Sequence, residues 1–132
     1  MINFHESTMM ENMKKARESA DIVIASCHWG VEYDQSPNAF QKNMAQKLAD
    51  AGADVIIGTH PHTLQDVEYI QRADGKRTLV AYSLGNFVSG MLEESCQLEG
   101  MLSFDIEKMK IKNVVFTPLV NYYTLTGKRE ST

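Results

Sequence analysis

The stretch Asp54-Val55-Ile56-Ile57-Gly58-Thr59-His60-Pro61-His62 constrains this chain more than any other. Val55, Ile56 and Ile57 are β-branched and unbroken, the pattern of a short strand buried on both faces in a parallel sheet. Gly58 is expected to end that strand by taking backbone angles that other residues avoid. Thr59 to His62 then form a loop just past the strand's carboxyl end, where open α/β sheets place their sites. Two imidazoles on a loop stiffened by proline can converge on one point, and imidazole is the commonest side-chain ligand for transition metals.

A second strand pattern repeats the arrangement. Asp21 opens Ile22-Val23-Ile24-Ala25-Ser26-Cys27, and this run also meets a histidine, His28. Between the two strands the periodicity predicts a helix over 37–51, with Ser36 as its cap and Pro37 in its first turn. Phe40, Met44, Leu48 and Ala51 line its inner face, while Gln41, Lys42, Lys47 and Asp50 look outward. Gly52 supplies the stop. A strand–helix–strand unit with short joints implies a right-handed parallel crossover, which sets His28 and His60 at the same sheet edge.

Upstream, Ser7 is expected to cap a helix running to about Ser19, with Met10, Met13, Ala16 and Ala20 at helical spacing. Downstream, Leu64 to Ile70 and Thr78 to Ser83 read as strands joined by the Ala73-Asp74-Gly75-Lys76 turn. Leu84-Gly85-Asn86-Phe87 is a polar-tipped turn and 89–97 a loop. Leu98 to Ile106 and Ile111 to Leu119 read as an antiparallel pair around Glu107-Lys108-Met109-Lys110. Residues 126–132 form a polar tail, and residues 1–132 read as one domain without repeats or low-complexity stretches.

Composition narrows the classes. The net charge of −4 comes without any long basic run, which argues against nucleic acid. No stretch approaches the ~20 apolar residues that span a bilayer, and residues 1–10 lack the apolar segment of a secretory signal. The expectation is therefore a soluble chain without a signal or anchor. Cys27 and Cys96 fit neither a zinc ribbon nor a disulfide-dense scaffold, and whether they pair stays open.

His28, His60 and His62 are the candidate metal ligands, since zinc and similar ions take nitrogen or oxygen donors at about 2.0–2.2 Å. A two-metal centre needs carboxylates as well, and Glu32, Asp34, Asp66 and Glu68 are nearby in sequence without a spacing that compels ligation. Turn-capping or core hydrogen bonding is the competing role for the histidines. His5, near the terminus, is read as inert. Trp29 is assigned to a pocket wall, with a core aromatic as the other reading. Glu32 is a pocket or acid–base candidate or a solvated loop carboxylate. Ser83, Gly85 and Asn86 suit an oxyanion or a tight turn. No Gly-x-Ser-x-Gly elbow or phosphate-binding glycine loop is present, and no catalytic residue is assigned.

Three ordered segments between residues 28 and 87 carry a resemblance: His28-Trp29-Gly30-x-Glu32-Tyr33, Gly52-Ala53-Asp54-Val55-Ile56-Ile57-Gly58-x-His60-Pro61-His62 and Tyr82-Ser83-Leu84-Gly85-Asn86-Phe87. Together they resemble the CapA-type poly-γ-glutamate capsule biosynthesis family of the calcineurin-like metallophosphatase superfamily. The resemblance implies an α/β fold, the C-terminal part of an α-β-β-α sandwich. Here a parallel strand–helix–strand unit is followed by antiparallel strands. His28 matches the histidine of the penultimate metal motif, and His60 and His62 match the closing Gly-x-His-Pro-His motif. Glu32 and Asn86 match positions near the pocket.

The acidic and Asn-His motifs that precede these in a complete member are not in this sequence. The resemblance therefore implies a partial domain and a divalent ion, zinc or manganese, held by three histidines at most. It implies a metallophosphatase-like hydrolase if upstream residues or a partner complete the site. The alternatives are a non-catalytic polymer-binding or assembly factor, or a fragment inactive without its other half. Partners expected on this basis are an anionic polymer or phosphoester and a second copy of the chain covering an exposed sheet face. The family places such proteins at the bacterial cell envelope or its outer face.

Overall fold

The computed structural model describes residues 5–123 and 129–131. In chain order these form α1 (Glu6–Ser19), β1 (Ile24–His28), α2 (Ala39–Asp50), β2 (Val55–Thr59), β3 (Val67–Gln71) and β4 (Arg77–Ala81). A single 3-10 turn at Glu94–Cys96 then leads to β5 (Leu98–Glu107), β6 (Lys110–Tyr123) and β7 (Arg129–Ser131). The first four strands make a mixed sheet in the order β1-β2-β4-β3, and the last three make a separate antiparallel sheet in chain order. β1, β2 and β4 run parallel, and β3 folds back antiparallel on β4 through the expected hairpin. The parallel unit, the hairpin and the β5–β6 pair all stand as the sequence predicts.

Register explains which face is buried. Ala25 pairs with Ile56 and Ile56 with Val80, so these residues share a face with Val23, Cys27 and Tyr82. Met13 of α1 and Met44, Ala45 and Leu48 of α2 pack onto that face and complete the core. Each Met, Leu, Ile or Val among them, fully buried, contributes roughly 1.5–3 kcal/mol. The opposite face carries the row Ile24, Val55, Leu79 and Tyr69. Its centre is buried, but Ile24 is 50% exposed and Tyr69 43%. β1 is consequently not buried on both faces as its apolar run predicts, since Ile24, Ser26 and His28 are exposed. Among the described residues it is also the outermost strand of its sheet, and an open groove of about 440 Å³ lies between it and α1.

Asp54 ties the elements together at the start of β2. Its carboxylate accepts from the Val23 amide at 2.9 Å and from Arg17 at 2.8 Å, with Arg72 at 3.3 Å. One side chain thus links the end of α1, the entry to β1 and the end of β3. Charge-assisted bonds of this kind are stronger than neutral ones, and the arginines neutralise a half-buried acid.

Several boundaries differ from expectation for identifiable reasons. α1 starts before Ser7, which lies inside the helix. The cap position is His5, with no side-chain capping bond, and Glu6 in the first turn pairs instead with Lys47 of α2 at 2.6 Å. α2 is capped by Asn38 rather than Ser36, because Asn38 and Gln41 form a reciprocal capping box. Gln41 therefore turns inward and is fully buried, while Phe40 is 48% exposed. Gly52 does stop α2 in the left-handed region, at φ +107°. Part of the expected polar tail, Arg129–Ser131, pairs with β6 as β7. Residues 126–128 and 132 lie outside the described residues. Cys27 and Cys96 are both buried and free, so they do not pair.

Gly58 corrects the expectation most usefully. It lies inside β2 and does not end it, and it has no left-handed backbone. A Cβ placed there would sit 2.0 Å from the Tyr82 carbonyl oxygen and 2.3 Å from Trp29 Nε1. Glycine is required for close approach, and backbone freedom is not the reason. Gly58→Ala should destabilise the fold by about 3 kcal/mol, the upper range for overpacking a rigid site. Urea denaturation followed by circular dichroism measures this, and a loss under 1 kcal/mol would contradict the packing argument.

Candidate metal centre

The carboxyl ends of β1 and β2 lie side by side, with His28 in register with Thr59. Trp29 continues this pairing, its amide donating to the Thr59 carbonyl at 3.1 Å. The chain beyond β1 then crosses the loop beyond β2, where the Tyr33 amide donates to the Pro61 carbonyl at 2.8 Å. A buried pair of amides fixes this crossing from below. Gln41 Nε2 donates to Gln65 Oε1 at 2.8 Å, and Gln65 Nε2 donates to the Asp34 carbonyl at 2.9 Å. Thr63 Oγ1 reaches the same carbonyl at 2.5 Å. α2, the loop after β1 and the loop after β2 are thereby locked to one another.

The backbone at this crossing is unusual. Tyr33, His60, His62 and Phe87 take positive φ angles of 70°, 105°, 63° and 61°. Left-handed conformations cost non-glycine residues roughly 1–2 kcal/mol each. Strain of this kind persists where surrounding structure enforces it, and it clusters at functional sites. Pro61, almost fully buried between the two histidines, anchors the loop so that both rings stand at the same rim.

Glu32, His60 and His62 come together there, each offering a ligand atom within 4.8 Å of the others. His62 Nε2 lies 4.0 Å from Glu32 Oε1. Its Nδ1 lies 2.6 Å from Asn86 Oδ1. The His60 and His62 ring centroids are 6.1 Å apart. His28 stacks at a tilt on His60, with centroids 4.5 Å apart, and stands outside that three-residue group. Two donors at about 2.1 Å from one ion are at most about 4.2 Å apart, so small side-chain rotations bring the group to ligation distance. Two nitrogens and one carboxylate oxygen suit zinc or manganese, with positions left open. The residues present fit such an ion.

Other candidates fall elsewhere. Trp29 is 3% exposed, donates from Nε1 to the Tyr82 carbonyl at 2.9 Å and stacks on the Tyr82 ring. It is a core aromatic, and the pocket-wall assignment fails because β2 and β4 close over it. Ser83 is fully buried and its hydroxyl accepts from the Gly85 amide at 3.3 Å, the tight-turn reading of that segment. Among the described residues Asp34, Asp66 and Glu68 join no metal-type cluster. Burial pushes the Cys27 thiol from its ordinary 9.0 up to about 11, keeping it protonated. Burial, helped by a hydrogen bond with Glu68, raises the Tyr82 phenol far above its usual range.

Sequence reasoning passed over the Gln41–Gln65 bridge. Its available signal was the Asn38-x-x-Gln41 capping pattern, which fixes Gln41 at the third helical position and so on the inner side.

A model of the family described as "Bacterial capsule synthesis protein PGA_cap" matches residues 2–91. The PGA biosynthesis protein CapA of Bacillus subtilis (strain 168) is 46% identical over 76 residues, covering 58% of this chain and 19% of that protein. The capsule biosynthesis protein CapA of Bacillus anthracis is 37% identical over 91 residues, covering 66% of this chain and 21% of that protein. An uncharacterized protein, y4sH, of Sinorhizobium fredii (strain NBRC 101917 / NGR234) is 33% identical over 81 residues, 60% of this chain and 16% of that protein. The matched segments thus span about a fifth of the length of these curated relatives. Both histidine-bearing strand ends, with His28, His60 and His62, fall inside the matched span, and the chain belongs to the bacterial capsule synthesis protein family PGA_cap.

Proposed function

We propose that this chain is a capsule-biosynthesis-type protein carrying one side of a metal centre, and that the centre serves a metallophosphatase-like hydrolase when further residues complete it. The observation that carries the reading is the convergence of Glu32, His60 and His62 at the rim where two parallel strands end. A mixed sheet with helices packed on one face, followed by antiparallel strands, is compatible with the C-terminal part of an α-β-β-α sandwich. A divalent ion bound there supplies Lewis acidity toward a phosphoryl or acyl oxygen. His60 and His62 would hold it with Glu32, and His28 buttresses the His60 ring. With a single carboxylate in the group, this chain alone holds one ion at most and has little activity.

A second reading, binding of an anionic polymer without hydrolysis, draws support from Tyr33 and Phe87. Both are exposed, at 47% and 56%, and they adjoin Glu32 and Asn86. Calorimetric titration with zinc and then manganese separates the two. Uptake of one ion by the wild type, with affinity lowered at least tenfold in His60→Ala and Glu32→Gln, supports the metal centre. Absence of heat in every protein, with poly-γ-glutamate binding that survives chelation, would overturn it in favour of the second reading.

The partner proposed for the open sheet edge is a second copy of the chain. Among the described residues β1 is paired on one side only, Ile24 is half exposed, and the groove against α1 is lined by Met9, Met13 and Val23. Unpaired strand edges next to apolar surface favour pairing with another chain. Size-exclusion chromatography with light scattering should give a dimer that Ile24→Lys converts to monomer. A wild-type monomer at high concentration would contradict the proposal.

A further inference from the structure

We infer that Asn86 is a positioning residue that fixes the tautomer and orientation of the His62 ring, leaving the Nε2 lone pair turned toward Glu32 and His60. The geometry begins with the Asn86 side chain, which has one acceptor oxygen and one donor NH₂ group. Its Nδ2 donates to the His62 backbone carbonyl at 3.3 Å and toward Met91 Sδ at 3.6 Å. A carbonyl oxygen can only accept, so rotating the amide by half a turn would oppose two acceptors. The amide orientation is therefore set, and Oδ1 is the atom that lies 2.6 Å from His62 Nδ1. Oδ1 also only accepts, so Nδ1 must carry the proton. In a neutral imidazole the lone pair then resides on Nε2. Nε2 is the atom facing Glu32 Oε1 at 4.0 Å.

This arrangement runs against intrinsic preference, since free histidine in water favours the Nε2–H form, which would offer no lone pair to the centre. Asn86 also grips the backbone of the residue whose ring it orients, and His62 is one of the strained left-handed positions. The turn that presents Asn86 is itself held, with Gly85 at φ +77° and the Gly100 amide bonded to the Leu84 carbonyl at 2.8 Å. A side chain at Gly85 would be tight as well as strained, because a Cβ would lie 3.0 Å from the Leu98 carbonyl oxygen. The antiparallel β5–β6 sheet is thereby connected to the tautomer of one ligand. Hydrogen-bond partners behind a metal-binding histidine fix its tautomer and raise its basicity, and their loss typically costs roughly 10–100-fold in metal affinity.

The metal consequence rests on the centre proposed above, while the tautomer does not. Long-range ¹H–¹⁵N correlation spectra of the metal-free protein, at a pH where the rings are neutral, read the tautomer directly. With four histidines in the chain, the His62→Ala spectrum assigns the ring. The wild type should show Nδ1–H at His62. Asn86→Ala should move it to Nε2–H, and Asn86→Asp, which keeps the acceptor, should retain Nδ1–H. Zinc alone should bind Asn86→Ala roughly 10–100-fold more weakly than the wild type.

An Nε2–H signal in the wild type would overturn the inference whether or not the variants fold. An Asn86→Ala protein with wild-type tautomer and zinc affinity would also overturn it. If zinc binds neither protein while the tautomer shifts as expected, the metal centre falls and the positioning role stands.

Discussion

The close approach of β2 to the Trp29 indole and the Tyr82 carbonyl governs how the rest of this structure is arranged. A side chain at Gly58 would occupy the space that both groups fill. With none there, the indole bridges from the end of β1 beneath β2 to the end of β4, and one hydrogen bond closes the span at 2.9 Å. Three parallel strand ends are held at fixed separation by this contact. The loops that leave them inherit that spacing, so His28 at the end of β1 and His60 just past β2 bring their rings to 4.5 Å of one another.

Rigidity below permits strain above. His60 and His62 take backbone angles that an unsupported loop would abandon, and the buried Gln41–Gln65 amide pair keeps the flanking segments from relaxing. The acid Asp54 performs a similar service at the opposite end of β2, where two arginines and a backbone amide converge on it. The nine-residue stretch from Asp54 to His62 is thus anchored at its head by charge, at Gly58 by packing and at Pro61 by burial.

Much of this was legible in the residues. Apolar runs leading to histidine gave β1 and β2, and helical spacing between them gave the crossover. What escaped did so for physical reasons. An apolar run reports tolerance for burial but cannot say whether anything covers it, so Ile24 was read as buried although β1 lies at the sheet edge. Glycine between strand and loop has two meanings, conformational freedom and absence of a side chain, and only the fold chooses. Trp29 carried the same ambiguity between pocket and core. Glu32 and Asn86 lie 28 and 24 positions from His60 and His62 respectively, a distance over which spacing says nothing about contact. Their place near the pocket came from the family resemblance. Their relation to His62 required the structure.

In the proposed metal centre, Glu32, His60 and His62 form the side that this chain supplies. X-ray absorption at the zinc edge of the zinc-loaded protein tests it most directly, because it reads donor type and distance without reference to any activity. The proposed centre should show two imidazole nitrogens and one carboxylate oxygen at about 2.0–2.2 Å, with remaining positions filled by light atoms. A sulfur shell near 2.3 Å, or a spectrum without imidazole scattering, would contradict it.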